Sequence, residues 1–267
     1  MFKRFPQIST NIRVLDIRGT AIEQVPPSIR SWPSVEYLGM SYFENLKDFP
    51  HALERITCLG FTDTEIQEVP CWVKRLSSLC GFVLKGCRKL VSLPPIIDSI
   101  CTMDASDCES LEIVECSFHH PWAELNFSNC FKLNQVARDL IIKNSSKCAV
   151  LPGGQVPAYF THRATGGGPL TIKLNGKPLP KSVRFKVCIL LLYKDDHDAC
   201  FKEKWTEAVV MYKNKSERLN PSLAEHLYTF RVEAEVTSSE LLFEFKLRSD
   251  DVWKIGECGI VQLLEVP

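Results

Sequence analysis

The sequence predicts a solenoid of stacked parallel strands with a mostly irregular convex side, followed by an all-β antiparallel sandwich. Three observations carry this. An apolar motif recurs about every 22 residues in the first half, short segments of alternating apolar residues fill the second, and the pattern changes near residue 144. A short repeated unit signals stacking in which each copy touches only its neighbours. Period-two alternation signals half-buried strands.

The repeat reads apolar-x-x-apolar-x-apolar: Ile12/Leu15/Ile17, Val35/Leu38/Met40, Ile56/Leu59/Phe61 and Leu79/Phe82/Leu84, then the weaker Ile100/Met103/Ala105 and Trp122/Leu125/Phe127. The middle anchors Leu15, Leu38, Leu59, Phe82, Met103 and Leu125 are 21 to 23 residues apart. That period and the residue order are those of leucine-rich repeats. Three residues past the last anchor comes a ladder position held by Thr20, Thr64, Cys87, Cys108 and Cys130. A small hydroxyl or thiol there is expected to point inward and bond the turning backbone. The pairs Val25-Pro26, Phe49-Pro50, Val69-Pro70 and Leu93-Pro94 repeat farther on. Proline lacks the N–H that a continuous ladder needs, so these pairs belong to the extended convex return.

Inward residues of each strand leave their neighbours to line the concave surface: Val14, Asp16, Arg18; Tyr37, Gly39, Ser41; Cys58, Gly60, Thr62; Gly81, Val83, Lys85; Thr102, Asp104, Ser106; and Glu124, Asn126, Ser128. Aromatic rings and arginines anchor protein interfaces. Arg18 and Tyr37 therefore lead the candidate partner-binding residues, with Lys85, Asp104 and Glu124 beside them.

The 22-residue pattern ends after Leu133. Helical spacing over 136–143 puts Val136, Leu140 and Ile141 on one side and closes a solenoid domain of about six repeats at 1–143. Asn144-Ser-Ser-Lys reads as a turn or linker opening the second domain, 144–267. There 170–174, 183–192, 208–213, 227–232, 241–247 and 255–264 read as strands, with Leu241-x-Phe243-x-Phe245-x-Leu247 the strictest alternation. Gly166-Gly-Gly-Pro, Asn175-Gly176 and Asn220-Pro221 separate them as turns. Many short strands without intervening helices predict a sandwich.

Composition excludes several functions. Lys plus Arg and Asp plus Glu are each 32, and the halves divide as 15 basic with 17 acidic and 17 basic with 15 acidic, so no basic stripe for nucleic acid is expected. The longest apolar run, 187–193, is far shorter than a bilayer span, and the start lacks a secretory apolar region, which predicts an intracellular chain. The twelve cysteines show no C-x-x-C, and most are expected to be reduced apolar fillers. Cys116 with His119 and His120 lacks a fourth ligand, so no metal or cofactor is expected. There is no G-x-x-x-x-G-K-[ST], G-x-S-x-G or H-E-x-x-H, and the glycines at 166–168 read as a flexible turn, not a phosphate cradle. Asp195-Asp196-x-Asp198 lacks the remaining ligands of a calcium loop.

The segment Leu151-Pro-Gly-Gly-Gln-Val-Pro-Ala-Tyr-Phe-Thr-His-Arg-Ala-Thr-Gly166 resembles the opening of the C-terminal jelly-roll/Ig-like domain (C-JID) of plant TIR–nucleotide-binding–leucine-rich-repeat immune receptors. Ser182-Val-Arg-Phe-Lys-Val-Cys and Glu257-Cys-Gly-Ile260 resemble its later strands. Asp16-Ile-Arg-Gly-Thr-Ala-Ile-Glu-Gln-Val-Pro26 and Lys85-Gly-Cys-Arg-Lys-Leu90 are similar to the family's repeats. The resemblance implies an α/β leucine-rich-repeat solenoid followed by an all-β jelly-roll/Ig-like sandwich. It further implies recognition of a pathogen effector or host protein in the cytoplasm or nucleus, without catalysis. Neither the TIR domain nor the nucleotide-binding switch has a counterpart here, and residues 1–11 are too short for a solenoid cap. The sequence is therefore expected to start inside a longer receptor, with the missing receptor domains or a partner receptor as further partners. NAD hydrolysis belongs to the TIR domain and would follow only if one is missing from this gene model. The other alternative is an inert scaffold fragment. Charged loops at 194–204, 213–222 and 248–251 are further binding candidates.

Overall fold

The computed structural model describes residues 11–22, 26–27, 34–41, 54–96, 99–174, 178–194, 208–213, 215–221, 224–248 and 252–263. The chain divides into two compact units, Met1–Lys147 and Cys148–Pro267. Strands dominate both and helices are few. No described helix is long and apolar enough to cross a membrane.

In the first unit β1 (Val14–Asp16), β2 (Tyr37–Gly39), β3 (Cys58–Gly60), β4 (Gly81–Val83), β6 (Thr102–Asp104) and β8 (Glu124–Asn126) form a parallel ladder. The register joins Leu15, Leu38, Leu59, Phe82, Met103 and Leu125 in one row. All six are buried, as are the anchors that follow them, and Phe61 and Phe82 meet edge-to-face at 6.2 Å. On the return side β5 (Ser92–Leu93) pairs in parallel with β7 (Ile113–Val114), and Pro94 follows β5 directly. A 3₁₀ turn, Cys71–Arg75, buries Trp72 and Val73.

The five described turns out of the ladder are built alike. A left-handed residue stands one place before every ladder position: Gly19, Asp63, Gly86, Asp107 and Asn129, with φ between 53° and 73°. Short polar residues and glycine tolerate this conformation. At four of them the next side chain turns back onto a backbone carbonyl, while Thr64 Oγ1 meets Cys87 Sγ at 3.2 Å. Cys87 Sγ donates to Phe61 O (3.1 Å), Cys108 Sγ to Leu84 O (3.2 Å) and Cys130 Sγ to Ala105 O (3.0 Å). Each thiol thus ties its repeat to the one before, while Thr20 Oγ1 donates locally to Ile17 O at 2.8 Å.

Several expectations for this unit need correction. Trp122 is 67% exposed and Ala123 takes the buried place, because Ala123 N–H bonds His120 O and turns the tryptophan outward. The helix α1 (Gln135–Asn144) is capped by Asn134 Oδ1, which accepts from Ala137 N at 2.8 Å. It buries Ala137, Ile141 and Ile142, whereas Val136 is 74% exposed, since the cap sets a different rotation. The turn read at 144–147 follows the helix, with Ser145 and Ser146 buried and their hydroxyls donating to Ile142 O and Asn144 O. Cys80 and Cys101 form a disulfide. Val25, Phe49 and Pro50 lie outside the described residues.

The second unit holds an antiparallel sheet in the order β9 (Cys148–Pro152), β15 (His226–Glu235), β12 (Ser182–Tyr193), β18 (Trp253–Gln262) and β10 (His162–Thr165). Facing it across the core are the pair β11 (Leu170–Lys173) with β16 (Glu240–Phe243), and the sheet β14 (Lys215–Leu219), β13 (Ala208–Tyr212), β17 (Phe245–Leu247). Phe185 meets Phe243 at 5.2 Å, and Tyr212 meets Phe230 at 5.9 Å.

The alternating run 241–247 is two strands. β16 pairs with β11 and β17 with β13, the chain changing sheets at Glu244. Phe245 N–H donates to Gly167 O (2.6 Å), and Gly167 has φ 99°, a conformation open to glycine. The glycine turn is therefore a fixed brace and not the flexible turn expected, because the backbone of 243–245 packs and bonds against it. The sequence reading missed β9, β10 and β14. β14 lies within the proposed loop 213–222, and Asn175-Gly176, 195–207 and 249–251 lie outside the described residues.

Candidate functional site

The strand side chains that point away from the first unit's core form a continuous face. Its shape is decided by three glycines. A Cβ on Gly39 would sit 2.8 Å from Asp16 Oδ1 and 3.0 Å from Arg18 Nε. On Gly60 it would meet Tyr37 Oη at 3.4 Å, and on Gly81 it would meet Cys58 Sγ at 2.9 Å and Thr102 Oγ1 at 3.1 Å. Real Cβ contacts are ordinarily wider, so Gly39 and Gly81 admit Arg18 and Cys58 where any larger residue would displace them. Each neighbour lies over the bare backbone of the next repeat.

Arg18 is accordingly held from several directions. Its Nε and Nη2 donate to Asp16 Oδ1 (2.9 Å) and Oδ2 (2.6 Å), and Nη1 donates to Thr62 Oγ1 (2.6 Å), two repeats away. The bidentate pair fixes a planar fork. Through its hydrogen bonds Arg18 holds the Asp16 carboxyl below its ordinary pKa, and Asp16 raises that of the guanidinium. Tyr37 is half-buried, and burial raises its phenol.

The other candidates are separate. Lys85 is exposed. Asp104 Oδ1 accepts Ser106 N–H at 2.9 Å, stopping its strand, as Asn126 Oδ1 does for Ser128. Ser106 is buried, so the expected outward row ends one residue early there. Glu124 is ion-paired with Lys147. With parallel strands about 4.8 Å apart, Arg18 and Glu124 stand roughly 24 Å apart along the ladder. The candidates make an extended surface and no common pocket. Sequence reasoning missed the shelf of glycines, although Gly39, Gly60 and Gly81 were visible in successive outward positions.

No group of three or more His, Cys, Asp or Glu among the described residues could hold a metal ion. Cys116 Sγ instead donates to Pro94 O (3.2 Å), and His120 Nδ1 accepts Trp122 N–H (3.3 Å).

The 151–166 segment has a structural role in the second unit. Between β9 and β10 it straps the sheet face opposite the core, burying Val156 and Phe160. Gly259 makes room: a Cβ there would stand 2.6 Å from Val156 Cγ1 and 2.7 Å from Phe160 Cβ. Glu257 Oε2 accepts Val156 N–H (2.7 Å), and Arg163 Nη1 donates to Val156 O (3.2 Å). The two sequence signatures, 151–166 and 257–260, are the two sides of one contact.

Residues 151–265 match the C-JID domain family. The chain is 46% identical over 273 residues to "Probable disease resistance protein RPP1" of Arabidopsis thaliana, covering 97% of this chain and 23% of that protein. "Disease resistance protein RML1B" of the same plant is 37% identical over 269 residues, covering 97% of this chain and 26% of the relative. "Disease resistance protein TAO1", also from Arabidopsis thaliana, is 47% identical over 172 residues, covering 59% and 14%. The chain thus spans about a quarter or less of the length of these relatives. It carries a C-JID domain and fits the C-terminal part of a plant TIR–nucleotide-binding–leucine-rich-repeat disease resistance protein.

Proposed function

We propose that this chain is the pathogen-effector recognition module of an intracellular plant immune receptor, acting by protein–protein binding. In this reading residues 1–143 are a leucine-rich-repeat solenoid, its concave side the glycine-shelved strand face, and residues 144–267 are the jelly-roll/Ig-like sandwich. The ligand is an effector protein, or a host protein that an effector alters. The observation that carries the reading is the pre-ordered outward face. Arg18, Asp16 and Thr62 are locked together and Tyr37 lies over Gly60, so these groups lose little side-chain freedom on docking. The balanced charge of both halves fits a protein ligand better than nucleic acid or a membrane surface. The chain's role is binding, and no reaction is assigned to it.

The test is a binding titration of the chain against a panel of purified pathogen effectors. For an effector that binds, Arg18→Ala with Tyr37→Ala should weaken affinity by more than ~1 kcal/mol, about fivefold. Undiminished binding by a folded double variant removes the strand face from the recognition surface.

A further inference from the structure

Cys80 and Cys101 stand side by side in neighbouring repeats, immediately before β4 and β6. They are 21 residues apart, the same separation as the anchors Phe82 and Met103, so the repeat itself brings them together. The backbone holds them there: Cys101 N–H and Thr102 N–H both donate to Cys80 O, at 2.8 and 3.0 Å. The Cα atoms are 5.1 Å apart, within the roughly 4.4–6.8 Å that a disulfide spans. Both residues are half-exposed, and their sulfurs are bonded to one another.

Most of the other described thiols differ in setting. Cys87, Cys108, Cys116, Cys130, Cys188 and Cys258 are buried. Burial pushes Cys87 and Cys258 up to about 11 and Cys116 to about 12, far from the thiolate form that reacts. Cys58 is half-exposed, but burial raises its pKa as well. Cys71 is exposed on the return side, in a different row from the strand cysteines.

We propose that Cys80 and Cys101 are a reversible dithiol modification site that exchanges with small disulfides of the glutathione type. The thiolate of one cysteine attacks a sulfur of glutathione disulfide, forming a mixed disulfide and releasing one glutathione thiolate. The second cysteine's thiolate attacks the protein sulfur of that mixed disulfide, closing Cys80–Cys101 and releasing the second. Two protein thiols and one glutathione disulfide become one protein disulfide and two glutathiones, so electrons and protons balance. The closed bond staples adjacent parallel repeats beside Gly81 and Thr102, which border the shelf that Cys58 overlies.

The test uses the full chain, reduced and then equilibrated across glutathione/glutathione-disulfide mixtures, alkylated, and digested with trypsin and an aspartate-directed protease. Cleavage after Arg75 and Lys85 and before Asp98 and Asp104 leaves Cys80 and Cys101 each as the single cysteine of its peptide. In disulfide-rich mixtures the 76–85 and 98–103 peptides should be found joined, and in glutathione-rich mixtures both should be separately alkylated. Of Cys80→Ser and Cys101→Ser, at least one should trap a glutathione adduct on its remaining cysteine. Peptides that stay apart at every ratio, or joined at every ratio, overturn the proposal. So does a bridge from either cysteine to Cys58 or Cys71, or the absence of an adduct in both variants.

Discussion

The two units bury strand faces by opposite means. In the first, three-residue strands repeat a single contact: each inward anchor lies on the equivalent anchor of the next copy, and each ladder thiol bonds a carbonyl of the copy before. In the second, strands of up to 12 residues pair over long separations, and single, unrepeated contacts fix their arrangement. A repeated contact spreads its energy over many equivalent sites. An unrepeated one concentrates the cost of failure at a few residues.

The strap over Gly259 is the sharpest place to break the second unit. Gly259→Val would drive its branch into Val156 and into Phe160 Cβ, an atom next to the backbone and therefore unable to swing away. The strap must lift, losing the Val156 N–H bond to Glu257 and the burial of both apolar side chains. The expected cost is about 3 kcal/mol. Amide hydrogen exchange should show it as lost protection at Val156 and in β18, with the parallel ladder unchanged. Full protection of Val156 in the variant would show that the strap does not depend on that glycine.

The same sheet face carries a second singular feature. Lys186 is buried beside Cys188, with Arg231 opposite it in the register and Arg184 near Arg231. Burial, reinforced by Arg231, lowers its amine to about 7. An unfolded lysine titrates near ~10.4, so between these values the unfolded state binds more protons, and the Lys186 contribution to stability rises with pH. From pH 7 to about 8.5 that contribution should grow by about 2 kcal/mol. Buried cysteines with raised pKa act in the opposite direction once pH passes the ordinary thiol value, so the informative quantity is a difference. Urea unfolding of wild type against Lys186→Met over this window should give a steeper upward slope for the wild type. Parallel slopes would mean that Lys186 keeps its proton in the folded chain.

These features also explain what the sequence disclosed and what it hid. The register of six strands was legible because one spacing, repeated, places Leu15 through Leu125 in a row. The ladder thiols were legible for the same reason. Trp122 and Val136 were misplaced where the repeat weakens and one local bond or cap decides rotation. In the second unit alternation located most strands but could not show that 241–247 changes sheets, because Phe243 and Phe245 keep their period while their partners change. β14 escaped because Lys215-Ser-Glu-Arg carries almost no apolar signal. The binding candidates were legible as outward positions. That Arg18 is bound to Asp16 and Thr62 depends on the bare backbone of Gly39, a three-repeat relation that a one-repeat pattern does not contain.

The smallest expected effect tests whether the cysteines of the two units differ in kind. Cys130 Sγ donates to Ala105 O at 3.0 Å, whereas Cys188 lies wholly buried in the sheet beside Lys186. Cys130→Ala removes a donor and leaves a carbonyl of the previous repeat without that partner, a loss of about 1 kcal/mol. Cys130→Ser keeps a donor and should recover most of it. At Cys188 the order should reverse, because an alanine leaves only a small gap while a serine buries a hydroxyl that needs a partner. Local hydrogen exchange of the four variants reads both orders in the folded chain. If serine outranks alanine at both sites, or at neither, the ladder bond is not what distinguishes the repeat thiols from those of the strand-built unit.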